Sequence, residues 1–217
     1  MSDQSNDRSR GDLGQSNRRR VISEILFNGP VPRTEIAART GLTAASVSRI
    51  TRDLINAGLV VEAKELPSSR SGRRLVELSL NPGGGYVLGI GINAFAQVVS
   101  LADLNNNLIA ERALEIECLV DPQPVLTAVA ETAQQIIADS GVDHARIFGA
   151  GVATAGAVDP ARGILLDSQT LGWKDLDIGP RLARMLDLPV ALENLPNSIN
   201  LGKPVSASPR VVRTWWW

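Results

Sequence analysis

Apolar positions in the first sixty residues recur at the spacing of a helix face, and after residue 80 the period changes. Val21, Ile22, Ile25 and Leu26 fall on one side of a helix over residues 18–27, and Asn28-Gly29-Pro30 stops it. Thr34 is expected to cap a short helix, TEIAART, with Ile36 and Ala37 inward. Gly41 suits the left-handed turn after it, and Thr43 caps a third helix, TAASVSRITRDLINAG. The inward stripe of that helix reads Val47, Ile50, Leu54 and Ala57, with Gly58 at its end. LVVEAKEL and LVELSL then flank a turn-rich PSSRSGRR, the pattern of a β-hairpin.

Asn-Pro-Gly-Gly-Gly at 81–85 punctuates the chain. Three strand-like runs follow: YVLGIGIN, QVVSLADL and NLIAERALEIE. DPQPVLTAVAETAQQIIADSG is an amphipathic helix with Val125, Val129, Ala133, Ile136 and Ile137 on one face. RIFGAGVATAG is an apolar strand entering a Gly turn, GILLDS a short strand, DIGPRLARMLD a helix and LPVALEN a strand. Strands alternating with helices define an α/β fold class for this part.

Helix, Gly-containing turn and helix form a helix-turn-helix. Its second helix carries Ala45, Arg49, Arg52 and Asn56 on the outer side, flanked by Ser46 and Ser48. Small residues let the N-terminal end sink into a major groove, where Ser and Arg reach phosphates and base edges. Arg70, Arg73 and Arg74 sit at the hairpin tip, as in a wing that lies along phosphates or enters a narrow minor groove. Thr34, Thr43, Ala45, Ser46, Ser48, Arg49, Arg52, Arg70, Arg73 and Arg74 are therefore the candidate DNA-contacting residues, and the implied partner is a double-stranded operator.

Charge supports this division. Residues 1–80 carry net +4 and residues 81–217 net −5, within an overall −1. The polar residues 1–16 lack the apolar core of a secretory signal and read as an unstructured arm. No run has the length of a membrane span, so the expected location is cytoplasmic. The single cysteine, Cys118, excludes an internal disulfide framework and a Cys-rich zinc site, and His144 reads as a surface-loop residue.

The helix-turn-helix, SGRRLVELSLNPGGGYVLGIGI, GAGVATAGAVDPARGILLDSQTLGWKDLDIG and LPVALENLPNSINL together resemble regulators of the ROK family (repressor, open reading frame, kinase), in their xylose-repressor-like branch. The resemblance implies a winged helix-turn-helix over 17–80, then the first lobe of an actin-like (ribonuclease H-like) sugar-kinase fold over 81–201. It implies a repressor of carbohydrate-metabolism genes that responds to a sugar or sugar derivative and acts as a homodimer. It also implies candidate sugar contacts at Gly156, Thr170 and Asn194.

Two departures speak against a sugar kinase, the competing reading. Family kinases carry Asp-x-Gly-Gly-Thr after the first strand; the matching residues are Gly91, Ile92, Asn93, Ala94 and Phe95. Family kinases also use Glu-Asn-Asp-Ala-Asn, whose Asp takes the proton from the sugar; here Leu195 follows Glu193 and Asn194.

The resemblance stops near Leu201, before the family's zinc motif and second lobe, so no cofactor is expected. Residues 202–217 close on VVRTWWW. One permitted codon set for this stretch, read from its third base, gives Ala-Arg-Phe-Gly, a Gly loop and a Val run, the continuation relatives show. The expectation is an out-of-frame tail on a truncated regulator with weak, salt-dependent DNA binding and no sugar response. A non-functional gene product is the alternative.

Overall fold

The structure is a computed structural model and describes residues 3–62, 76–116 and 119–197, with side chains from residue 14 onward. The chain divides into two compact units between Gly84 and Gly85. That is four residues later than the 80/81 boundary read from the sequence. Asn81 explains the shift: its backbone N–H donates to Leu59 O at 2.9 Å and its side-chain amide to Gly58 O at 2.7 Å. The Asn-Pro-Gly-Gly stretch thus closes the first unit.

In the first unit, α1 (Asp3–Asn28), α2 (Arg33–Thr40) and α3 (Ala44–Asn56) pack through Val21, Ile25, Ile36, Val47, Ile50 and Leu54, all buried. The helix α1 starts at Asp3, across most of the stretch expected to be an unstructured arm. Once residues 18–28 form a packed helix, each further turn adds a hydrogen bond per residue without a new nucleus. Strands β1 (Val31–Pro32), β2 (Val60–Glu62) and β3 (Glu77–Leu80) form an antiparallel sheet in the order β1-β3-β2. Val60 pairs with Leu80 and Glu62 with Leu78, so the expected hairpin stands at its base.

The second unit is built on a five-stranded sheet, order β11-β7-β4-β5-β6. Its strands are β4 (Tyr86–Ile92), β5 (Gln97–Asp103), β6 (Leu108–Leu114), β7 (Ile147–Thr154) and β11 (Val190–Asn194). An antiparallel meander, β4-β5-β6, continues into parallel pairs β4–β7 and β7–β11. This is the ribonuclease H-like first lobe of the actin-like fold. Between β6 and β7 runs α4 (Pro122–Ser140), capped by Asp121, whose carboxylate accepts from Gln123 N at 2.9 Å. Its buried face, Val125, Val129, Ala133 and Ile136, joins Leu182 and Leu186 of α5 (Ile178–Leu186) and Leu88, Ile90 and Ile92 of the central strand in one core. A small antiparallel sheet, β8 (Ala157–Asp159), β9 (Ile164–Ser168) and β10 (Trp173–Leu176), follows β7. The only tryptophan outside the C-terminal run, Trp173, is buried, and its indole N–H donates to Leu119 O at 2.6 Å.

Candidate nucleic-acid interface

The turn between α2 and α3 is fixed from both sides. Gly41 adopts φ 68°, the left-handed conformation that a Cβ disfavours. The Thr40 hydroxyl donates back to Ile36 O at 2.6 Å, and Arg20 of α1 donates to the free Thr40 carbonyl. A cation at the last carbonyls of α2 meets the negative end of that helix. Thr43 then opens α3: its hydroxyl oxygen accepts the Ser46 amide at 3.2 Å and donates to Ser46 Oγ at 2.9 Å.

Two details of the expected helices differ. Thr34 is not a cap. It is the second residue of α2, whose N-cap is Pro32 with no side-chain hydrogen bond, because β1 runs straight into the helix. Thr34 remains exposed. Ala57 leaves the inward stripe, being the exposed C-cap of α3, and Thr51 takes the buried place. The Thr51 hydroxyl accepts from Arg33 Nε at 3.1 Å and donates to Ser48 O at 3.3 Å, so its polar atom is satisfied inside.

The outer side of α3 is open. Thr43, Ala45, Ser48, Arg49, Arg52 and Asn56 are exposed and Ser46 is half-buried. Among the described residues no ion pair engages Arg49 or Arg52, whereas Arg33, Arg39, Arg112 and Arg181 are all paired. Free arginines beside a small-residue N-terminal turn match the chemistry of a phosphate-lined groove. Arg70, Arg73 and Arg74 lie outside the described residues.

A second cluster lies where the parallel strands β4, β7 and β11 end, the edge at which open α/β sheets receive ligands. Thr154 is registered between Ile92 on β4 and Asn194 on β11. It is fully buried, and among the described residues its hydroxyl has no hydrogen-bond partner. Gly156 follows at φ 126°; a Cβ there would stand 2.4 Å from Asp167 O and 2.9 Å from Ser168 Cβ. Ser168 Oγ lies 3.4 Å from the exposed Thr170 hydroxyl. Asn194 Oδ1 accepts the Asn197 amide at 2.9 Å and opens the helical turn that begins at Leu195. Gly156, Thr170 and Asn194 thus fall in one neighbourhood. Thr154 and Ser168 join them; neither stood out in the sequence, where one sits in an apolar run and the other in a plain strand.

The β4–β5 hairpin ends in the stretch aligned with the kinase phosphate loop. Asn93 Oδ1 accepts the amides of Phe95 at 2.8 Å and Ala96 at 3.0 Å, and Gln97 donates to Asn93 O at 2.6 Å. The amides that a phosphate loop would offer to a ligand are used internally. Among the described residues, no group of three His, Cys, Asp or Glu is arranged to hold a metal ion. No described helix is long and apolar enough to cross a membrane.

Residues 15–78 match the MarR family. A protein named xylose repressor from Caldicellulosiruptor bescii is 27% identical over 191 residues, 88% of this chain and 48% of its own length. A Mycobacterium tuberculosis protein named as a transcriptional regulator is 32% identical, over 79% of this chain and 39% of its own. A solved structure described as a ROK family transcriptional regulator, homologous to the E. coli Mlc protein, aligns with a TM-score of 0.70 at 25% identity, covering 88% of this chain and 48% of that one. Fold and site define a winged helix joined to the first lobe of a sugar-kinase-like domain. The chain is similar in structure to a ROK family transcriptional regulator and in sequence to proteins named xylose repressor. It spans about half the length of the curated relatives it matches.

Proposed function

We propose that the chain binds double-stranded DNA through α3 and the hairpin between β2 and β3, and regulates carbohydrate-metabolism genes, as a repressor. The observation that carries this is the outer face of α3, with exposed Ser48, Arg49 and Arg52 following a capped, small-residue N-terminus. The names of the relatives supply the regulatory role and the sugar context. Operators of paired half-sites would be read by two copies of the chain.

The effector in this reading is a sugar or sugar derivative. The buried, unpartnered Thr154 hydroxyl beside Asn194 supports a polar ligand at the ends of β7 and β11. Phosphoryl transfer is not part of the proposal. The Asn93 turn uses its own amides, and Leu195 has no group to accept a proton.

The test is enrichment of duplexes from a random-sequence pool by the purified chain, followed by salt titration. Binding should weaken steeply with salt. Arg49→Ala and Arg52→Ala should each reduce the log–log slope by about one. Retention of no duplex above background sinks the reading.

A further inference from the structure

The described arginines of the first unit fall into two groups. Arg20 donates to the Thr40 carbonyl, Arg33 meets Thr51 and Glu62, and Arg39 pairs with Glu24 and Glu35. Arg18, Arg19, Arg49 and Arg52 are exposed, and among the described residues no hydrogen bond or ion pair holds them. Arg49 and Arg52 lie on the outer side of α3; Arg18 and Arg19 lie on α1. Arg18 stands three residues before Val21 and seven before Ile25, so it continues their buried stripe past the edge of the core. Arg20, in the same turn, reaches Thr40, three residues ahead of the Thr43 cap that opens α3. The basic turn of α1 is thereby fixed beside the start of the outward-facing helix. A guanidinium fork with no partner inside the protein keeps its donors for a planar acceptor outside it, and phosphate is such an acceptor. Two adjacent cations with no carboxylate paired to them among the described residues favour a polyanion.

We propose that Arg18 and Arg19 form a second DNA-contacting site: they grip backbone phosphates beside the major groove that α3 enters. This rests on the DNA-binding reading above. The N-terminal residues of a recognition helix meet base edges, and the phosphates that bound the groove lie to either side of it. Phosphate contacts fix register and orientation on the duplex but carry no sequence information. The α1 site therefore adds affinity and salt dependence, while the choice of sequence stays with α3. Arg20 couples the two sites, since it ties the turn that carries Arg18 and Arg19 to the turn from which α3 departs.

The experiment uses the whole 217-residue chain and a duplex enriched from a random-sequence pool by the unaltered protein. Arg18→Gln with Arg19→Gln is expected to bind roughly tenfold more weakly, with a log–log salt slope smaller by about two. The sequence it enriches from the same pool should be unchanged. Phosphate-ethylation interference should lose positions flanking the α3 footprint and keep the rest. Arg18→Lys with Arg19→Lys, which retains both charges, should retain the slope. Both side chains are exposed and glutamine is a comparable helix former, so the melting temperature should stay where it was. Arg162→Gln with Arg184→Gln removes the same charge from exposed positions of the second unit and should leave the slope alone. Unchanged affinity and slope in the α1 variant, or an equal loss in the second-unit control, overturns the phosphate site and leaves DNA binding standing. A changed sequence preference overturns it too, because the two arginines would then be reading bases. Failure of the unaltered chain to enrich any duplex removes the DNA reading, and this proposal with it.

Discussion

Thr43 and Ser46 are joined twice, by the Ser46 amide on the Thr43 hydroxyl oxygen at 3.2 Å and by the Thr43 hydroxyl on Ser46 Oγ at 2.9 Å. The pair locks the first turn of α3. Thr43→Ala should cost about 1 kcal/mol of stability, and Thr43→Ser only a few tenths. Chemical denaturation followed by helical circular dichroism measures both; equal stability of the alanine variant and the unaltered chain rejects the cap.

Thr154 buries a hydroxyl with no partner among the described residues. Leaving such a group unsatisfied costs on the order of 1–3 kcal/mol, so the near-isosteric Thr154→Val should stabilise the chain by about 1 kcal/mol. A drop in stability would mean that the hydroxyl is satisfied in solution. The gain should come with a loss of any sugar-induced shift in melting temperature.

Gly156 holds φ 126° against the Asp167 carbonyl. Gly156→Ala meets both backbone strain and a clash, and should destabilise by about 2 kcal/mol or more. Gly14→Ala, at an open helical position, is the control and should be neutral or slightly stabilising. Thermal unfolding of the two variants side by side decides the point.

The Arg181 guanidinium, 2.6 Å from Asp177, holds the Asp177 carboxyl below the ordinary aspartate value, against a smaller opposing effect of burial. Because the folded value is depressed, the contribution to stability is complete above the unfolded aspartate value. It is lost as pH falls through the folded value. Asp139 behaves alike, lowered first by the Gln135 hydrogen bond and then by Arg112. Arg181→Met should return the Asp177 midpoint toward the ordinary range, and carboxyl-carbon NMR titration reads it directly.

The helix-turn-helix was legible because its signals are local. A 3.6-residue apolar stripe, Gly41 and a Thr cap each act within a few residues of chain. The Thr34 assignment failed because the α2 start is set by β1 pairing with β3, forty-five residues away in sequence, not by a cap. Thr51 was missed because its burial depends on Arg33 and on Ser48 O, partners that no periodicity in α3 announces. In the second unit the long strands and α4 were readable from apolar runs. The short strands β8 and β10 were not, since three or four residues carry too little pattern. The neighbourhood of Thr154, Ser168 and Asn194 required the parallel register itself. The hairpin tip with Arg70, Arg73 and Arg74, the lone Cys118 and the tail after Asn197 lie outside the described residues.

The Asn93 turn carries a consequence for signalling. The Asn93 side chain is the resident occupant of this loop, holding the Phe95 and Ala96 amides that an anion would otherwise compete for. It is a switch with the contact soldered shut. The tip of this sheet is closed upon itself, its donors turned inward to one asparagine.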